Sequence, residues 1–558
     1  MAAANAALGL FDRYSEIGHR AFTVFRANMY EMFAQDSWKV RQNLTVSAGL
    51  RYSIIEPYHA IWGNQIVFDP AFYDPNLAVT VSPTTGLIVG TPTIQQLYNG
   101  MVIPGTRFPD SAKAHVPEAN TTLYNGLFRG VPDHYSDIQW NNIQPRLGVA
   151  YQLDNKTVFR AGGGRFYTRL GVSDSVFLGG NPPFQPSASL TNGNVDSLGP
   201  SAAGQIPLVV TTQTRNLRNP EAWNWNFSVE RELPWRTTAS LGYVGRRGIH
   251  LQREADINQP TTAVAAANPC LIASPPCSID AFRPYKGFGT IRQTDNIASS
   301  RYNSLQVSVN RRGGNGLQYG VSYTLAKSVD DGSNQRDVVP NTYDTSSLWG
   351  PSEFDARHIL VFNYLYPTPF FRDQKGFTGR VLGGWQLSGI AQFQTGLPCS
   401  VASSDDFAHV GLDSNFGCGV SGQYWVVNGH PKVLGTFGPN GTWFTTTNPD
   451  GTPIFTKPAP FTFNTQRVRG LIYQPGFWNW NMGLFKAIPV TERFRFQFRA
   501  EAFNVFNHPN WCGGSGCSGT TNIGLNPNSA STFGKVLTKG GGVGGGERNL
   551  QLSLRAEF

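Results

Sequence analysis

The 558 residues carry a net charge of +9, from 45 basic and 36 acidic side chains scattered without a block of like charge, which argues against a nucleic-acid arm. Hydrophobic residues amount to 40%, mean hydropathy is −0.27, and no apolar run nears the roughly 18 to 20 residues of a spanning helix, so a helical membrane protein is excluded. With 61 Gly and 37 Pro beside 37 Phe, 20 Tyr and 13 Trp, the composition serves turns, strands and interfacial rings, and the expected class is all-β.

The opening MAAANAALGLFDRY has no basic n-region and makes a poor secretory signal, so either the protein is cytosolic or its true beginning is missing. Candidate strands then come in couples joined by short polar turns. A strand near Ala27 to Lys39 leads through VRQN into Leu44 to Tyr52, and Leu147 to Leu153 leads through DNK into Thr157 to Tyr167. Trp223, Trp225, Phe227 and Val229 alternate with polar residues and turn through LPWR into Ala239, Leu241 and Tyr243. Leu305, Val307 and Val309 precede RRGGNG and the alternating Leu317, Tyr319, Val321, Tyr323 and Leu325, a hairpin signal in which Gly and Asn supply positive φ. Ile359 to Tyr366 couples with Trp385 to Phe393, and Trp478 to Phe485 with Phe494 to Phe506.

The chain closes on RNLQLSLRAEF, in strict period two. Leu550, Leu552, Leu554, Ala556 and Phe558 fall on one face; Gln551, Ser553, Arg555 and Glu557 fall on the other. Such a strand needs either an apolar medium outside and polar contents inside, or a soluble core on one side and water on the other. The connections decide between them. Between the couples lie long stretches without periodicity, roughly Ser53 to Gln144, Arg169 to Glu221, Gln252 to Ser300, Val329 to Glu353, Thr395 to Gly476 and Asn507 to Arg548. A compact soluble domain seldom holds even one structureless loop beyond about 15 residues. Short turns at one end and long loops at the other are the asymmetry of an antiparallel transmembrane outer-membrane β-barrel, with short periplasmic turns and long extracellular loops.

The count is about thirteen strands, with Phe533 to Leu537 assigned to the final loop. An odd number cannot close a bacterial single-chain barrel, so strands are expected to be missing upstream. Residues 1–26 then read as a residual extracellular loop and 27–558 as a partial barrel. In that barrel the alternating apolar side chains face lipid, and Trp38, Trp223, Trp225, Trp385, Trp478 and Trp480 are the candidate interfacial aromatics. The competing reading of these rings is core packing in a soluble sandwich.

IQPRLGVAYQ (Ile143 to Gln152), NPEAWNWNFSVEREL (Asn219 to Leu233), LGYVGRRGIHL (Leu241 to Leu251), SRYNSLQVSVNRR (Ser300 to Arg312), YTLAKSVDD (Tyr323 to Asp331), FDARHILVFNY (Phe354 to Tyr364), GGWQLSGIAQFQTGLP (Gly383 to Pro398) and FRAEAFNVFNHPNW (Phe498 to Trp511) occur in order along nearly the whole chain. Together they resemble the barrel of Oar-like TonB-dependent outer-membrane transporters. The resemblance implies a 22-stranded barrel around an N-terminal plug, and a TonB box that couples the plug to the inner-membrane motor. Neither plug nor TonB box is legible here, so about nine strands are expected to lie upstream and the function to belong to a longer parent. The final strand, with Leu550, Leu552, Leu554 and the terminal Phe558, resembles the outer-membrane assembly signal. The expected partners are outer-membrane lipid and lipopolysaccharide, the assembly machinery, the TonB system through the missing plug, and an unidentified solute. Iron chelates, cobalamin, oligosaccharides and peptides all fit as that solute. A passive porin or adhesin barrel and a soluble glycan-binding β protein are the alternatives.

Six cysteines form three local pairs in Gly/Pro/Ser-rich loops: Cys270 with Cys277, Cys399 with Cys418, and Cys512 with Cys517. An oxidising compartment would make them disulfides, a zinc site would want tighter spacing, and free thiols are the third reading. Gly162 to Gly164 sit inside a strand, and neither they nor Gly540 to Gly546 carry the Lys-Ser/Thr of a phosphate loop. Asp330, Asp331, Asn334 and Asp337 lack EF-hand spacing and read as a solvated acidic loop. His250, His358 and His508 stand apart, without a nucleophile, base and orienter set, so no enzyme, cofactor or metal is expected.

Overall fold

The computed structural model describes residues 7–17, 22–171, 178–185, 187–196, 206–313, 316–334, 337–411, 422–491, 494–511, 523–537, 539 and 547–557. Thirteen strands follow one another in a single antiparallel path. They are β1 (Met29–Arg41), β2 (Leu44–Ile55), β3 (Ile143–Asp154), β4 (Thr157–Tyr167), β5 (Glu221–Leu233), β6 (Thr237–Asp256) and β7 (Phe288–Arg311). There follow β8 (Gln318–Asp330), β9 (His358–Pro367), β10 (Trp385–Gln394), β11 (Phe477–Pro489), β12 (Arg495–Phe503) and β13 (Asn549–Glu557). Two short strands join at the sides: Leu208–Gln213 runs parallel to β7, and Gly350–Pro351 pairs with β8. Near the N-terminus, Leu10–Ile17 pairs with Ser187–Asn194 in a separate two-stranded sheet.

Most couples are hairpins with tight turns, but β9 and β10, expected to share a short turn, are joined by residues 368–384, which hold the short helix Gly376–Leu382. The turn of β3 and β4 is held by Asp154, whose Oδ1 accepts from the Lys156 amide at 2.7 Å. That of β5 and β6 places Trp235 and Arg236 at φ 62° and 57°, the left-handed region that twists a hairpin correctly but is costly for side chains of this size.

Register carries each face unbroken from strand to strand. Phe227 lies opposite Ala161 on one side and Tyr243 on the other; Tyr243 meets Leu305, and Leu305 meets Leu325. Farther along, Val321 meets Phe362, Phe362 meets Ala391, Ala391 meets Trp480, and Ala500 meets Leu552. The opposite face is polar: Ser228 meets Arg160, Gln306 meets Thr324, Gln392 meets Asn479, and Arg499 meets Ser553. Period two keeps the faces apart, since a slip of one residue would invert a whole strand.

Two strands outrun the sequence reading. The stretch expected as a loop from Gln252 to Ser300 is strand at both ends, because β6 continues to Asp256 and β7 begins at Phe288. Arg253, Glu254, Asp256, Phe288, Ile291 and Ala298 are all buried there. With both faces covered, the alternation that marks a one-sided strand disappears.

The path is open. Among the described residues β1 pairs only with β2 and β13 only with β12. Every residue of β1 is exposed, as are Leu550, Leu552 and Leu554 in β13.

Candidate functional site

The polar face of the wall is lined by cross-strand pairs. Arg160 reaches Glu230 at 3.1 Å, Arg51 reaches Glu31 at 3.3 Å, and the Ser37 and Ser47 hydroxyls meet at 2.9 Å. The Arg146 guanidinium lies 4.6 Å over the Phe166 ring. On the apolar face, Trp225 lies over Gly245 and packs beside Gly163; a Cβ at Gly245 would collide with the indole. One of the in-strand glycines thus makes room for an aromatic ring, as glycine does wherever two groups approach closely.

The long connections fold into a cap at one end of the wall. Ile66, Phe68, Met101, Ile103, Phe184, Phe288 and Ile291 form one core, in which Phe68 and Phe288 meet edge to face at 5.0 Å. Val401, Trp425, Phe444, Phe455, Ile472 and Ile523 form a second. Buried ion pairs tie the pieces together. Arg283 donates to Asp256 at 2.8 Å, to Asp280 at 2.7 Å and to the Asn258 carbonyl at 3.1 Å. Arg469 pairs with Asp330 at 2.6 Å and donates to the Asp330 and Leu348 carbonyls and to the Ser333 hydroxyl.

This corrects the reading of the acidic stretch. Asp330 and Asp337 are buried; Asp330 is neutralised by Arg469, and Asp337 accepts from the Ser333 and Asn334 amides at 2.9 Å each. Asp331 pairs with Arg253 at 3.4 Å. The stretch is a buried ionic knot, and the countercharge that makes burial affordable comes from far along the chain. Burial pushes the Asp337 carboxyl up to about 6, with Glu353 adding to the rise.

Beside the knot, where β5 and β6 reach the cap, two adjoining hollows of about 340 and 420 Å³ share Asn216, Arg218 and His250. Glu221 closes one side, receiving Arg165 at 2.8 and 2.7 Å and the Trp223 indole at 2.6 Å. His250 faces Arg218 at 3.2 Å. Sequence reasoning saw His250 as isolated and did not find Arg165, Arg218 or Glu221. No period marks them, since they meet only across strands.

Cys270 and Cys277 are joined in a disulfide, with Cα atoms 5.5 Å apart. Cys399 is buried and disulfide-bonded, with the Gln474 amide nitrogen 2.9 Å from its sulfur. Cys418, Cys512, Cys517 and Phe558 lie outside the described residues. Trp38 and Trp385 sit near the tight-turn end of the wall, whereas Trp223, Trp225, Trp478 and Trp480 sit at the cap end. Leu550, Leu552 and Leu554 share one face of β13, opposite Ala502, Ala500 and Phe498. Among the described residues no His/Cys/Asp/Glu group has the arrangement of a metal site, and no helix is long and apolar enough to cross a membrane.

A wall with one apolar and one polar face, tight turns at one end and a loop cap at the other defines an outer-membrane barrel. The model of the outer membrane beta barrel domain family matches residues 1–551, and the chain belongs to that family. Its place is the bacterial outer membrane, with the apolar face toward lipid. No curated protein matches the sequence. Solved structures that match include the ferric-catecholate import receptor Fiu from Escherichia coli K12, at 10% identity and TM-score 0.38, covering 96% of this chain and 45% of that one. The outer membrane transporter YddB from E. coli matches at 10% identity and TM-score 0.40, over 96% and 54%. The FrpB iron transporter from Neisseria meningitidis matches at 9% and 0.38, over 95% and 46%. This chain spans about half the length of these proteins.

Proposed function

We propose that the chain is the C-terminal wall and extracellular cap of an Oar-like TonB-dependent receptor, which takes up a solute by energised transport. The observation that carries this reading is the polar inner face lying beneath a packed cap. A passive pore works through an open mouth, whereas a receptor needs rigid loops that hold a solute before it passes. The hydrogen-bonding lumen residues Arg160, Gln306, Gln392 and Arg499 suit a polar solute.

The open edges of β1 and β13 support a further part of the proposal. Hydrocarbon has no water to satisfy unpaired backbone groups, so in a membrane both edges need partners. In this reading further strands of a parent barrel supply them, a plug fills the lumen, and a TonB box links the plug to the inner membrane.

The test is an immunoblot of the source cell's outer-membrane fraction with an antibody against residues 548–557, in boiled and unboiled lanes. A heat-shifted band well above 61.1 kDa supports the longer receptor. A heat-shifted band at the mass of the chain itself favours the self-contained porin or adhesin. Solute uptake that survives collapse of the proton-motive force would overturn energised transport.

A further inference from the structure

On the lipid-facing side, just under the cap, lies a cleft of about 780 Å³. Its floor is one register row of the apolar face: Tyr323 meets Leu360, Leu360 meets Phe393, and Phe393 meets Trp478. Its roof is loop. Phe437 stacks on Trp511 at 4.8 Å and 4°, and on Trp443 at 5.3 Å and 26°.

The height of the cleft places it in the outer leaflet. From Trp478 to Ile488, at the other end of β11, is about 34 Å along the strand, and at the usual tilt of about 40° this is about 26 Å across the membrane, the height of an apolar band. The floor therefore lies where acyl chains meet headgroups, and it continues the lipid-facing rows without a break.

Several polar groups of the cleft are already engaged, while His508 Nδ1, its ring against Trp478 at 3.9 Å, is buried without a hydrogen-bond partner. The Tyr323 hydroxyl is 2.8 Å from His358 Nδ1, the Thr395 hydroxyl accepts from the His358 amide at 3.0 Å, and the Trp443 indole donates to the Tyr473 carbonyl at 2.8 Å. A sugar would need several such groups free for orientation; an acyl chain needs none. At the rim the exposed Lys539 stands 5.8 Å from the Trp511 ring, a cation at headgroup level.

We propose that this cleft seats one acyl chain of an anionic outer-leaflet phospholipid, with the net negative charge of its headgroup at Lys539. A chain already in hydrocarbon gains nothing from leaving water, so selectivity comes from aromatic packing and the charge contact rather than from the hydrophobic effect. This inference rests on the lipid-facing assignment of the wall and is independent of any transported solute.

The test purifies the full-length receptor from outer membranes, reconstitutes it in nanodiscs doped with phosphatidylglycerol bearing a photoactivatable group in its acyl chain, or with the matching phosphatidylcholine, and maps cross-links by peptide mass spectrometry. Cross-links should be several-fold denser on the peptides of Phe437, Trp443 and Trp511 than on those of Leu305 and Leu552, and denser with phosphatidylglycerol. The double variant Phe437→Ala, Trp511→Ala should abolish the excess, and Lys539→Glu should remove the preference for the phosphorylglycerol headgroup. An even spread over the apolar face, or an excess indifferent to all these changes, would overturn the proposal. If the double variant loses its heat-shifted mobility, the surface change at Lys539 still decides the headgroup contact, and Phe437→Ala alone tests the roof.

Discussion

Arg469 lies 2.6 Å from the Asp330 carboxylate although 139 residues separate them, and their side chains are 2% and 1% exposed. It therefore locks the Thr395–Gly476 loop onto the end of β8. Replacing Arg469 by Met strands a buried carboxylate, a change that typically costs about 3–5 kcal/mol. Amide exchange should quicken between residues 330 and 357 while the heat-shifted mobility of the barrel persists. Adding Asp330→Asn should recover much of the loss, because the unpaired charge goes with it.

The wall predicts an asymmetry between adjacent residues. Leu552 and Val321 face lipid, whereas Ser553 and Ser322 face the lumen. Arg at a lipid-facing midplane position costs about 2–4 kcal/mol, so Leu552→Arg and Val321→Arg should impair insertion far more than Ser553→Arg and Ser322→Arg. Folding yield of the full-length receptor into vesicles measures this. Equal impairment on both faces would contradict the assignment.

Gly245 and Trp225 should behave as a unit. Gly245→Ala drives a methyl into the indole and should destabilise the barrel by about 1–3 kcal/mol, as overpacking does. In the Trp225→Ala background the same substitution should cost little. The urea midpoints of the double-mutant cycle give the coupling.

The cap should respond to pH through Asp337. Its carboxyl titrates near 6 in the fold, above the 3.8 of an unperturbed group. The folded state thus holds the proton more tightly, so this stabilisation is complete below about 3.8 and is lost as pH rises through about 6, by at most about 3 kcal/mol. Amide exchange at Ser333 and Asn334 should be slower at pH 5 than at pH 7.5 beyond the intrinsic rate difference. Asp337→Asn should flatten that dependence.

Strands with unlike surroundings on their two faces were plain in the sequence. Val321 against Ser322 and Leu552 against Ser553 state which side meets lipid, and the short turns fix the partner of each strand. The upper halves of β6 and β7 were not plain, because burial on both sides erases alternation. The cap was least legible, since its contacts are remote: Phe68 finds Phe288, and Asp330 finds Arg469. Seen in sequence, Asp330, Asp331 and Asp337 stand around the polar run GSNQR and look solvated; in space their cations arrive from Arg253 and Arg469. The lipid cleft was half visible, since its floor follows from strand register but its roof comes from loops that carry no period.

β6 and β7, at 20 and 24 residues, are about twice the nine to eleven that one tilted crossing requires. Their surplus rises beyond the membrane as a mast. The first loop core is built on Phe288 and Ile291 of β7, and the segment Val338–Val339 is hydrogen-bonded to Glu254 of β6. Around Val339, the residues Leu348, Ala402, Tyr424 and Val468 pack with Ala255 of β6, so loops from both sides of the chain are rigged to these two strands, whose hydrogen bonds run on into the wall. A cap so stayed is braced by the barrel wall itself rather than hinged on it as one lid.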